Sequence, residues 1–294
     1  MINKCLFSGL LLSISMAASA RPSQTMPSID PDAGQFFHLD THDVPPADSH
    51  EGKQFRLYSA VPLGISSPRP VLYMLDGNGM FPLMVNLAIR KLPAERMPVI
   101  IGIGYASDEA FPKKWRDYDY TPHVSDPDFA YGGGAEQLYT LLESKIKPWV
   151  AANYPIDENR QTLFGHSFGG LFTLMAYQNH PESFQAFVAA SPSLWWGKGE
   201  MINLPLMTER QAAASLFVTQ GGAEEKPNLE KMDEKQLARY HSRTSWIQPR
   251  ALCSALEASH HSCQFTLYPG KNHGSVIPDA LDKALDVAAL PDTL

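Results

Sequence analysis

The sequence predicts an α/β fold: a mostly parallel central sheet with helices on both faces, in a single domain. Two observations predict it. Runs such as Pro70-Val71-Leu72-Tyr73-Met74-Leu75 are apolar throughout rather than alternating, as strands buried on both faces are. These runs alternate with longer helical patterns, and that alternation lays strands parallel under flanking helices. The 294 residues suffice for one large core and are few for two domains.

Taken in order, Gln35 to Leu39 and Gln54 to Ala60 read as two strands around a polar turn. Residues 70–75 and Pro98-Val99-Ile100-Ile101-Gly102-Ile103 are continuous apolar strands. Leu163-Phe164 ends a third, Phe187 to Ala190 forms a fourth, Leu216 to Thr219 a fifth and Gln264 to Tyr268 a sixth. Helical patterns cover about 81–91, 134–151, 168–180, 246–259 and 278–290. Ligands of such sheets sit at the carboxyl ends of the strands, which directs attention to the residues just after each run.

Residues 1–20 have the pattern of an export signal. Lys4 is followed by a short apolar run from Leu6 to Ala18 and an A-x-A site at Ala18-Ser19-Ala20. The run is too short to span a bilayer, and no later stretch looks transmembrane. The expectation is an exported protein that starts near Arg21, with a loose leader at 21–33 and a catalytic domain at 34–294. Loss of Lys4 leaves 23 cations against 31 anions, a net charge of −8, which argues against nucleic-acid binding. Cys253 and Cys263 then remain, and an even count in an exported chain favours a disulfide between them over two buried thiols.

Gly165-His166-Ser167-Phe168-Gly169 lies between a strand-type run and an apolar helical run, the context a nucleophile elbow requires. Gly165, Gly169 and Gly170 supply the small neighbours of such a turn. His273 follows the sixth strand, next to Gly274, and is the candidate base. Glu224 follows the fifth strand and is the candidate acid; its neighbour Glu225 and a bare Ser–His pair remain alternatives. The order serine, acid, histidine is that of the α/β-hydrolase fold. The oxyanion hole would use the Phe168 N–H and a second amide, of Gly77 or Asn78, from the turn after the first apolar strand. His166 should point away from the serine oxygen, and His260-His261 reads as a solvated helix end rather than a metal site.

Leu75-Asp76-Gly77, Arg116 to Pro122 (RDYDYTP), Gly165 to Gly170 (GHSFGG) and Ala190 to Trp196 (ASPSLWW) occur together in this order. With these blocks the chain resembles the esterase D-like branch of the α/β-hydrolases, from about 35 to 290. Within that branch it is most similar to periplasmic esterases that open catecholate trilactone siderophores. The resemblance implies hydrolysis of a small-molecule ester, ferric or iron-free, without a cofactor or protein-bound metal. Some members of that group work as Ser–His dyads, which keeps the role of Glu224 open. The resemblance further implies that Arg116 faces the site and holds an anionic catecholate or the ester carbonyl. The alternative is a structural ion pair to Asp117 or Asp119. Trp195 and Trp196 would stack on catechol rings, with Lys198 adding charge, unless one indole belongs to the core. Arg90-Lys91 and Lys113-Lys114 would make the mouth basic despite the net charge, or form a solvated face. An esterase acting on feruloyl, acetyl or other small acyl esters is the alternative function, since substrate choice lives in loops.

Overall fold

The computed structural model describes residues 23–45, 53–64, 67–210 and 212–289. Residues 1–20, read as an export signal, lie outside them.

The strands are β1 Phe37–Val44, β2 Phe55–Pro62, β3 Arg69–Met74, β4 Val99–Tyr105, β5 Ile156–His166, β6 Ala186–Ala190, β7 Ser215–Gly221 and β8 Cys263–Tyr268. They form one sheet in the order β1-β2-β4-β3-β5-β6-β7-β8. β1, β2 and β4 pair antiparallel, and every pair from β4 to β8 is parallel. All residues of β3, β4 and β6 are buried, because both faces are covered. On one face α1 (Gly77–Lys91) packs with the last helix of the chain, Ile277–Ala288, through Met80, Met84, Val85, Leu281 and Leu285. The other face takes α2 (Lys113–Asp119), α3 (Ala135–Leu141), α4 (Lys147–Asn153) and α5 (Phe168–Asn179). The chain then adds α6 (Leu204–Glu209), α7 (Gly222–Glu225), α8 (Glu234–Thr244), α9 (Pro249–Ala258) and α10 (Ile277–Ala288).

Every strand and helix expected from the sequence is present, with differences that have local causes. β5 starts five residues before Gln161, because Asp157, Glu158, Asn159 and Arg160 extend it with a polar, partly exposed end. α3 and α4 continue into each other through one π turn at Leu142–Ile146, making the single long helix expected over 134–151. The Gly-rich turn expected after β3 is instead the first turn of α1, preceded by Asp76 at φ 55°, whose side chain does not cap it. Gly77, Gly79 and Pro82 hid that helical turn. α8 was not anticipated, because it is strongly polar and buries no residue.

The leader expected at 21–33 is not loose where it is described. Ala110 N–H donates to Gln24 O, Asp30 N–H donates to Asn86 Oδ1 of α1, and Ala33 is buried. Cys253 of α9 and Cys263 of β8 form the expected disulfide, with Cα atoms 5.5 Å apart. His261 is not solvated: it is buried and bonds Thr208 O at 3.1 Å, while His260 turns outward at φ 64°.

Candidate active site

Ser167 sits between β5 and α5 with φ 62°, ψ −118°. Its amide donates to Ala190 O at the end of β6, and its carbonyl accepts from Ser193 and Leu171 N–H. A Cβ on Gly165 would lie 2.1 Å from Gly169 O, and one on Gly170 2.7 Å from Ala190 O, so both must be glycine. A Cβ on Gly169 would meet only ordinary contacts, at 3.5 Å, so close approach does not demand that third glycine.

His273 lies in the loop after β8 and Glu224 in α7 just after β7. Ser167 Oγ is 2.9 Å from His273 Nε2, and His273 Nδ1 is 2.6 Å from Glu224 Oε2. The carboxylate only accepts, so Nδ1 carries the proton and neutral His273 accepts from the serine hydroxyl through Nε2. Glu224 Oε1 also accepts from Ser191 Oγ at 2.7 Å and from Gly221 N–H at 2.9 Å. Burial alone would raise the Glu224 carboxyl, but His273, Ser191 and Gly221 N–H together hold it below its ordinary value. Glu225 is turned away, paired with Arg250 Nε at 2.6 Å. This geometry can move a proton from Ser167 to His273 and stabilise the resulting imidazolium.

His166 does point away from the serine. Its Nε2 is 2.9 Å from His273 O, and because a carbonyl only accepts, Nε2 bears the hydrogen. Burial, then the nearby His273 and Arg116, depress its imidazole well below the ordinary histidine range. His166 is therefore a neutral strut under the His273 loop.

The amide of Phe168 opens α5, and those of Gly77 and Asn78 open α1. None can find an acceptor within its own helix. β3 and β5 pair with Met74 opposite Phe164, and Leu75 N–H donates to Phe164 O, so both helices leave adjacent strands at the same level. The Asn78 side chain is occupied elsewhere: it donates to Tyr105 O and Ser107 O and accepts from Tyr105 N–H. Only its backbone is available to an oxyanion.

Arg116 lies beside the site, but its guanidinium is committed. Nε and Nη2 bind the two oxygens of buried Asp76 at 2.7 and 2.9 Å, and Nη1 reaches Asp117 at 3.3 Å. Burial would lower the Arg116 pKa, and Asp76 more than reverses this, so it stays a cation. The partner expected at Asp119 is instead bound to Lys53 and Tyr105. Trp196 is 0% exposed, and its Nε1 donates to Pro122 O, so it is core and cannot stack on a ligand. Trp195 is half-buried at the rim, against Phe168 at 5.7 Å. Lys198 is bound to Asp126 at 2.5 Å. Arg90 ends α1, so it lies about 20 Å along that helix from the site edge; it adds no charge to the mouth. Lys113 pairs with Asp117 and also lies over the Tyr131 ring.

Three supports went unrecognised in the sequence: Asp76, Ser191 and Ser193, whose Oγ is 3.4 Å from Ser167 Oγ. Each lies within three residues of the end of a buried strand, in a block already singled out, and that position was the available signal.

A family model described as "Putative esterase" matches residues 63–271. The chain belongs to the esterase family. This esterase is 29% identical over 263 residues to the ferri-bacillibactin esterase BesA of Bacillus subtilis, covering 83% of this chain and 87% of that one. It is 28% identical over 272 residues to the apo-salmochelin esterase of Escherichia coli, covering 88% and 81%. The siderophore hydrolase EstA of Aspergillus nidulans shares its fold, with TM-score 0.73 at 23% identity over 90% of this esterase and 98% of that chain. The esterase is thus a serine ester hydrolase of the α/β-hydrolase fold.

Proposed function

We propose that this esterase hydrolyses the ring esters of a catecholate trilactone siderophore in the periplasm, using Ser167, His273 and Glu224. The observation that carries the chemistry is the unbroken hydrogen-bond chain from Ser167 Oγ through His273 to Glu224. Ser167 attacks the ester carbonyl while His273 takes its proton. The oxyanion is held by the Phe168 N–H with that of Gly77 or Asn78. His273 returns the proton to the leaving seryl hydroxyl of the lactone. A water then enters, loses a proton to His273 and releases the acyl group from Ser167. Glu224 keeps Nδ1 protonated and offsets the imidazolium charge in both halves.

The siderophore substrate is supported by the activities named for the relatives, bacillibactin and salmochelin esters. Export is supported by the A-x-A pattern at Ala18-Ser19-Ala20 and by the Cys253–Cys263 disulfide, which an oxidising compartment maintains.

The test is product analysis by liquid chromatography and mass spectrometry after incubation with enterobactin, iron-free and ferric, beside Ser167→Ala. Linear trimer, dimer or monomer of dihydroxybenzoyl-serine, formed by the unmutated protein alone, is the expected result. An intact trilactone from a protein that still cleaves p-nitrophenyl esters would move the substrate to feruloyl, acetyl or other small acyl esters. Ser167→Ala is expected to lower turnover on the order of 10⁶-fold.

A further inference from the structure

Resting on the siderophore-esterase reading, we propose that Arg243, seated on the Trp195 ring, makes this esterase prefer the ferric, anionic form of a catecholate substrate.

Arg243 comes from α8, and its guanidinium carbon is 4.3 Å from the Trp195 ring centroid. Other arginines are held by a carboxylate or by backbone carbonyls: Arg56 by Asp43, Arg116 by Asp76, Arg250 by Glu225, and Arg69 by Met97 O and Ala94 O. Among the described residues none pairs with Arg243. The charged or titratable groups acting on it are Arg239, of like sign, and Tyr131. The residue as a whole is exposed, yet packing partly desolvates its guanidinium and, with Arg239 beside it, lowers its pKa, so an anion arriving there would relieve an uncompensated charge. α8 buries none of its residues, so core packing does not require Arg243 to lie there.

The position faces the chemistry. Trp195 packs on Phe168, whose neighbour is Ser167. Trp195 is also two residues from Ser193, which touches the Ser167 hydroxyl. An aryl arm whose ester reaches Ser167 therefore has beside it the guanidinium that covers the Trp195 ring. Tyr131, half exposed, continues the rim into a cleft of ≈ 550 Å³ lined also by Lys113, Lys114 and Trp115. Asp117 also lines this cleft and is paired with Lys113, so lysines and rings there surround one carboxylate.

The Arg243 guanidinium reads charge. Iron(III) displaces both phenolic protons of each catechol, and three catecholates bring twice the negative charge that the ion offsets. The ferric complex is an anion, whereas the iron-free aryl arms are neutral at neutral pH. A guanidinium lacking a carboxylate can donate charge-assisted hydrogen bonds to catecholate oxygens, and these exceed the bonds it makes to neutral phenols. Its stacking on Trp195 fixes the plane from which it donates.

The deciding experiment measures kcat/KM for ferric and iron-free trilactone with the unmutated protein, Arg243→Gln and Arg243→Lys, at low and high salt. The ferric-to-free ratio should favour ferric substrate in the unmutated protein and fall by about 10-fold or more in Arg243→Gln. Arg243→Lys should restore part of it, because the charge remains. Salt should erode the ratio of the unmutated protein and leave that of Arg243→Gln flat. An unchanged ratio in Arg243→Gln, equal losses on both substrates, or a preference of the unmutated protein for the iron-free form would overturn the role of Arg243 while leaving the esterase reading intact. Cleavage of neither form by the unmutated protein would remove both.

Discussion

The inner site and its rim are built on opposite plans. Inside, the reacting groups have further anchors: Glu224 takes Ser191 and the Gly221 amide, the His273 carbonyl takes His166, and the Ser167 backbone takes Ala190 and Ser193. At the rim, Trp195, Tyr131, Lys113 and Arg243 meet through ring and cation contacts on partly or fully exposed segments. The inner groups follow the ends of parallel strands, so the sheet sets their spacing. The rim groups come from α2, α8 and loops outside the strand–helix alternation. Bond breaking needs fixed distances, whereas recognition tolerates a surface that can be exchanged.

The largest expected effect breaks the inner set. Glu224→Gln should lower kcat on the order of 10⁴-fold, because an amide neither fixes the His273 tautomer nor offsets its charge. Glu225→Gln should stay within about two-fold, since it breaks only an exposed pair with Arg250. Steady-state rates on a p-nitrophenyl ester check both; a loss under tenfold at Glu224 would mean that serine and histidine suffice as a dyad.

Next comes the frame between inner site and rim. Arg116→Met leaves the Asp76 carboxylate, 1% exposed, without its partner. Urea unfolding should register a loss of about 3–5 kcal/mol. A much smaller loss would show that the pair is not part of the frame that holds β3 to α2.

The smallest effect is in acid. The folded His166 pKa lies below the unfolded value near 6.5, so the unfolded chain takes up this proton first as pH falls. The contribution is whole above 6.5 and is lost as pH drops below it, at up to about 1.4 kcal/mol per pH unit. Glu224, also depressed, adds the same sign below its ordinary 4.5. His166→Gln keeps a donor for the His273 carbonyl and should flatten the stability curve between those two values. An unchanged slope would mean that His166 does not govern it.

How much of this was legible follows the same division. The strands, the elbow and the serine, acid and histidine positions announced themselves, because apolar runs mark strand ends and the site collects there. Trp196 and Lys198 were harder: the block from Ala190 to Trp196 could be placed at the site edge, but not which side chain turned inward. Trp196 went to the core and Ser191 to the acid. Arg90 misled although the helical pattern over 81–91 already put it at the end of α1 far from β3; a basic pair was read as charge at the mouth without following the helix that carries it away. Arg243 lay in a polar helix that buries no residue, and only three dimensions bring it to Trp195.

The backbone at Ser167, φ 62° and ψ −118°, has a consequence for anyone improving this protein. A non-glycine residue held in so sparsely populated a conformation costs the fold on the order of 1–3 kcal/mol. Glycine would adopt it without that penalty. Directed evolution scored on heat tolerance alone would reward replacement of the very residue that attacks the ester. Libraries built on this chain therefore need an activity gate at every round.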